Sequence, residues 1–236
     1  MKKLILIVAL FLIPVGLTAQ SQENLIEHYK IYYDQMKRQA DVQGIINALT
    51  HLNILEPNKF RVDTLAYVYA SNNQHLQALN TIGVAVDPGD SDLALQIKAS
   101  SFKALNEPKR AIAQFELLLK RKPSSYLDYE IADLKIQTGD NSGAIQHIDH
   151  GLETVNQEMN YTFYERQQPY QVPLKAALLH LKGLHAFNTN REDVTKAIDF
   201  MKQALVEAPN FNLASLSIQA LEARSKENQN KETQEE

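Results

Sequence analysis

The sequence predicts an all-α protein, an α-solenoid of about five stacked helix-turn-helix repeats closed by a C-terminal capping helix. Three observations lead there. Glycine and proline number only 8 each in 236 residues, too few for a turn-rich β architecture. Hydrophobic residues make up 44%, enough to bury a core. One apolar register also returns every 33 residues along most of the chain.

Ile45, Ala78, Ala111 and Ala144 stand at that spacing. Four residues past each lie Leu49, Ile82, Phe115 and Ile148, and seven past lie Leu52, Ala85, Leu118 and Gly151. Positions i, i+4 and i+7 form one stripe of a helix. Twelve residues before the last three anchors lie Ala66, Ala99 and Ala132, small enough to let a second helix approach closely. Tyr69, Phe102 and Lys135 follow them by three. Pro57, Pro88 and Pro123 fall near unit ends, where a residue without an N–H stops a helix. Asn72-Asn73 and Gly139-Asp140-Asn141 are turn formers inside units. A fifth unit carries Gly183, Ala186, Ala197, Met201, Ala204 and Pro209. One hairpin cannot bury its apolar face alone, so the units must stack.

The ends and the gap follow. Met1-Lys2-Lys3, the apolar run Leu4–Ile13 and the exit Leu17-Thr18-Ala19 have the layout of a signal peptide over residues 1–19, cleaved before Gln20. Its apolar stretch is short of the roughly 20 residues that span a bilayer, so no stable membrane insertion is expected after cleavage. Removing it takes away two lysines and no acid, moving the net charge from -4 to -6. Ala144 and Ala197 are 53 apart, which places an insertion at about 155–172, rich in aromatics. Phe211 to Arg224 reads as the closing helix, with Leu213, Leu216, Ala220 and Ala223 on its apolar side, and completes a repeat domain over 23–224. The polar run 225–236 reads as a disordered tail.

This register resembles the tetratricopeptide repeat (TPR) family, in Leu65-Ala66-x-x-Tyr69 with Ala78-x-x-x-Ile82 and in Ala99-x-x-Phe102 with Ala111-x-x-x-Phe115 and Pro123. The likeness covers roughly residues 23–209. The chain departs from the family in its period, which is usually about 34, and in having no tryptophan. Lys135 also stands where an aromatic is usual, and Tyr33 replaces the small residue of unit one. Ankyrin repeats share the period, but no T-P-L-H-like run is present. The double-lysine start suits an exported bacterial protein.

Chemistry is sparse. The chain has no cysteine, which excludes disulfides, thiol catalysis and a lipid-modified cysteine. No phosphate-binding glycine loop, zinc-protease or serine-hydrolase motif occurs. His147-x-x-His150 has a spacing that brings two imidazoles to one ion, but the register turns both outward, and two ligands do not close a site. His180 and His185 do not share a helical face. The expectation is no catalytic residue, no metal, no cofactor and, from the acidic balance, no nucleic-acid partner.

The resemblance implies a concave groove lined by the first helix of each unit. Projected onto this sequence, the groove-facing residues are Phe60, Asp63, Tyr67, Gln96, Ser100, Lys103, Tyr126, Tyr129 and Asp133, with His180 joining from unit five. The Lys/Arg/Asn clamp with which one TPR subtype holds C-terminal carboxylates is missing from these positions. The expected function is an exported, non-catalytic scaffold in a bacterial periplasm or outside the cell, holding a protein or peptide in that groove. The alternative is an accessory or regulatory subunit of an envelope enzyme or transport complex, docking through Tyr161, Phe163, Tyr164 and Tyr170 of the insertion.

Overall fold

The computed structural model describes residues 21–165 and 167–235. Residues 1–19, expected to form the signal peptide, lie outside the described residues. Helices α1 (Gln22–Gln39) and α2 (Val42–Leu55) form the first hairpin, α3 (Lys59–Ser71) and α4 (His75–Ile82) the second, and α5 (Asp92–Ala104) and α6 (Pro108–Arg121) the third. Helices α7 (Ser125–Gln137) and α8 (Asn141–Thr154) form the fourth. Strands β1 (Asn160–Phe163) and β2 (Tyr170–Pro173) follow, then α9 (Leu174–Thr189) with α10 (Thr195–Glu207), then α11 (Asn212–Glu235). Each second helix packs on the next first helix, except that α10 passes to α11. First helices also meet directly, α3 with α5 and α7 with α9, so they share one face.

The turn inside each of the first four hairpins repeats. Ala40, Asn73, Asn106 and Gly139, spaced by 33, all have positive φ. Each turn closes the same way: Ala40 N–H donates to the Lys37 carbonyl and Asp41 N–H to Met36, as Gly139 does to Ile136 and Asp140 to Lys135. These bonds satisfy the orphan carbonyls at the end of the first helix. Glycine and asparagine suit this left-handed backbone best. The second helices of the first and fourth hairpins start on side-chain caps: Asp41 accepts from Gly44 N at 3.0 Å and Asp140 from Gly143 N at 2.9 Å.

The small positions meet their purpose. Ala66, Ala99, Ala132, Ala78, Ala111, Ala144 and Ala197 are all fully buried. A Cβ on Gly183 would stand 2.9 Å from the Ala197 carbonyl oxygen, so α9 and α10 touch backbone to backbone there. Lys135 replaces the missing aromatic by ion pairing, with Glu116 of α6 at 3.1 Å and the cap Asp140 at 3.0 Å.

Four expectations are corrected. Helix α4 ends at Ile82, well before Pro88, because Gly83 takes φ +83 and leaves the helical region. Ala85 therefore lies exposed in an irregular link rather than in a helix stripe. The insertion is a β-hairpin pairing Tyr161 with Val172 and Phe163 with Tyr170, not a loop. Helix α11 buries Ala214, Ile218 and Leu221, while Leu216 is exposed, a shift of the expected stripe. The same helix continues through 225–235, where composition predicts a disordered tail. Lysine, glutamate and glutamine are good helix formers, and a helix nucleated by packing extends at little cost.

The link after α4 is held by a buried ionic network. Lys98 is 2% exposed; it pairs with Asp90 and donates to the Ala85 carbonyl at 2.9 Å. Arg121 donates to the Asp90 and Pro88 carbonyls, both at 2.6 Å. A lysine this deep is tolerated because its charge is paired with a carboxylate and a second donor finds a carbonyl oxygen.

Candidate functional site

The face built by the first helices opens between α5 and α7 into a cleft of about 500 Å³. Gln96, Ser100 and Lys103 of α5 form one wall, and Tyr126 and Glu130 of α7 the other. Ala104, Phe115 and Leu127 form an apolar floor. These wall residues stand at helical spacings of three and four, which puts them on one side of each helix. Lys103 Nζ lies 2.5 Å from Glu130 Oε2 across the cleft. The projected register thus brings together Gln96, Ser100, Lys103 and Tyr126. Phe60 and Tyr67 of α3, which correspond by the 33-residue register to Tyr126 and Ser100, are exposed by 76% and 54%.

Three projected groove residues are structural instead. Asp63 is buried and accepts from Ser91 Oγ at 2.6 Å, tying α3 to the cap of α5. Tyr129 is buried because the β-hairpin lands on it, with its ring 4.2 Å from that of Tyr161. Burial pushes its phenol well above the usual range. His180 is buried beside Phe211 and bonds Ser217 Oγ at 3.0 Å through Nε2. Asp133 is half-buried and accepts from Gln137 Nε2 at 2.9 Å. Desolvation raises its pKa.

The hairpin turns most of its aromatics inward. Phe163 packs on Phe211 and Tyr170, and the Tyr161 hydroxyl donates to Glu130 Oε1 at 2.8 Å. Burial and the Glu130 carboxylate raise the Tyr161 pKa. Tyr164 alone of the four expected docking residues is exposed, at 75%. Tyr126 Oη accepts from the Asn160 backbone N–H at 3.2 Å, fastening the hairpin to the rim of the cleft.

His150 is exposed and His147 partly so, in line with the outward register, yet both rings also reach back to one carboxylate. Asp128, fully buried, accepts from Nδ1 of His147 at 2.9 Å and of His150 at 2.6 Å. The carboxylate fixes the proton on Nδ1 in both rings and is itself satisfied by them. Among the described residues no cluster of three His, Cys, Asp or Glu side chains is arranged to hold a metal. Sequence reasoning missed Asp128, Glu130 and the floor residue Phe115, because each acts through a partner on another helix.

The buried imidazole of His180 gives a pH dependence. Burial lowers its pKa from 6.5 to about 4. The fold holds it neutral, and the unfolded chain takes up the proton, so its stability is intact above pH 6.5 and lost as pH falls toward 4. The expected loss is roughly 3 kcal/mol across that window. Asp133 acts in the opposite sense, so denaturant unfolding at several pH values is compared between wild type and His180→Gln. Equal slopes in the two proteins would exclude His180 as the source.

Solved structures share this fold. A MamA protein matches with a TM-score of 0.59 at 16% identity, over 77% of this chain and 91% of that one. A tetratricopeptide repeat protein from Parabacteroides merdae ATCC 43184 matches with a TM-score of 0.62 at 18% identity, over 86% of this chain and 73% of that one. No protein-family model and no curated protein matches the sequence. The chain therefore has the fold of a tetratricopeptide repeat protein. Among the described residues no helix is long and apolar enough to cross a membrane.

Proposed function

On that fold, we propose that this chain is an exported, non-catalytic scaffold that binds a protein or peptide partner across the face of its first helices. One observation carries the reading. Phe60 and Tyr67 of α3 and Tyr126 of α7 are exposed by 76%, 54% and 38%, and Tyr126 lines a cleft that no described residue fills. Exposed aromatics grouped on one face mark interaction sites, since each offers large contact area at small entropic cost. Export rests on the layout of residues 1–19.

The second reading, an accessory subunit of an envelope enzyme or transport complex docking through 155–172, rests on Tyr164, because the other three aromatics are spent on internal packing. The test uses protein recovered from the source envelope fraction, with Gln20 as its expected first residue, as bait for affinity capture and mass spectrometry. The triple variant Phe60→Ala, Tyr67→Ala, Tyr126→Ala, with helicity unchanged, is expected to retain its partner at least about tenfold less well. A partner held equally by both proteins would sink the assignment to this face. Loss on Tyr164→Ala alone would favour docking through the hairpin.

A further inference from the structure

We propose that the free edge of β1 accepts an extended peptide as a third strand, with an apolar side chain of that peptide seated in the α5–α7 cleft. This inference rests on the scaffold reading and names how the partner is held.

The hairpin register decides which backbone groups are free. Leu174 N–H donates to the Met159 carbonyl at 2.7 Å, in line with the pairing of Tyr161 with Val172 and Phe163 with Tyr170. In an antiparallel ladder, bonded and non-bonded pairs alternate. Asn160 and Thr162 are therefore in non-bonded pairs with Pro173 and Gln171, and their N–H and C=O groups point away from β2. The outward direction is visible: the Asn160 N–H meets Tyr126 Oη at 3.2 Å. Tyr126 lines the cleft, so the edge of β1 faces the cleft. Among the described residues nothing bonds the Thr162 N–H or carbonyl, or the Asn160 carbonyl.

The two edges of this sheet are unlike. On β2 the corresponding outward positions are Gln171 and Pro173, and Pro173 has no N–H to offer. Proline on an edge blocks strand addition, whereas on β1 the Thr162 N–H is open and the Asn160 N–H is held only by the Tyr126 hydroxyl, which an added strand can replace. A strand added to β1 lies roughly 4.8 Å from it, and its alternate side chains point to the sheet's inner face. That is the face of Tyr161 and Phe163, and beside it lies the apolar floor of Ala104, Phe115 and Leu127. Beside Tyr161 of β1 the carboxylates of Glu130 and Asp133 both act on its hydroxyl, and Lys103 pairs with Glu130. The occupant is thus an extended segment with an apolar anchor and a neighbouring Lys or Arg.

The probe is a phage-displayed library of linear random peptides, selected on the purified protein. Selected peptides are expected to share an apolar residue next to a basic one. They should lose at least about tenfold in affinity on Thr162→Pro and little on Thr162→Val, which keeps the N–H. Thr162→Pro removes the outward donor together with the hydroxyl that accepts from Gln171 Nε2 at 3.3 Å, a loss that Thr162→Val shares and so controls for, and proline is compatible with an edge strand. A backbone N-methyl scan of one selected peptide, read on the wild-type protein, gives the same answer without any variant: affinity should fall at alternate residues. Peptides that lose affinity on Phe60→Ala but bind Thr162→Pro normally, with no alternation in the scan, overturn strand addition and leave the scaffold reading standing. Failure to select any peptide overturns strand addition, as does self-association of the protein that Thr162→Pro abolishes without peptide binding. Peptides insensitive to Phe60→Ala and Thr162→Pro alike overturn both readings.

Discussion

Asp90→Ala is expected to lower the unfolding free energy by about 3–5 kcal/mol. The carboxylate is the charged partner of Lys98, whose side chain is 2% exposed. Without it an ammonium group stays buried, with the Ala85 carbonyl as its nearest oxygen at 2.9 Å. Losing one member of a buried pair costs far more than losing both, because the surviving charge is left without compensation. The double variant Asp90→Leu, Lys98→Met is therefore expected to recover most of the loss. Denaturant unfolding of the three proteins decides it. A cost below about 1 kcal/mol for Asp90→Ala would mean that water reaches Lys98 and that the link 83–91 is not held by this pair. The outcome matters for the candidate site, because Lys98 lies between the cleft residues Gln96 and Ser100 on α5.

Phe211→Ala is expected to cost a further about 3–5 kcal/mol, measured the same way. The ring is fully buried at the junction of three elements. It touches Phe163 of the hairpin at 4.9 Å and His180 of α9 at 5.3 Å, centroid to centroid, and it leads into α11. Removing it opens a cavity beneath the hairpin, so amide exchange at Tyr161 and Phe163 is expected to speed up along with the loss of stability. Phe60→Ala, at a side chain 76% exposed, serves as the comparison and should change stability by no more than about 0.5 kcal/mol. Unchanged exchange in the hairpin of Phe211→Ala would show that β1 and β2 are held by Tyr129 and Tyr126 without the help of the cap.

Much of the fold was legible in the sequence because helices write their pattern locally. The anchors Ala78, Ala111 and Ala144 are buried as their spacing requires. The left-handed turns at Ala40, Asn73, Asn106 and Gly139 follow the same period, and residues such as Asn73 and Gly139 announce them. A helix stripe depends on neighbours three and four residues away, so one sequence contains all it needs. Half of the candidate site was legible for the same reason: Gln96, Ser100, Lys103 and Tyr126 were placed by register alone.

The rest depended on what landed on each residue from far along the chain. Tyr126 and Tyr129 are three apart on one helix and look alike in sequence, yet one is 38% exposed and the other 4%. The difference is Tyr161, which arrives from a hairpin 32 residues downstream of Tyr129 and covers it. Asp128 finds His147 and His150 from 19 and 22 residues away, and His180 finds Ser217 from 37. Periodicity states which side of a helix faces inward. It does not state which inward or groove-facing side chains an inserted segment will bury. By itself the sequence determined a stack of helical hairpins and the face on which to look. Only the tertiary structure decided which aromatics remain free there, because exposure is set by contacts between segments that no local pattern encodes.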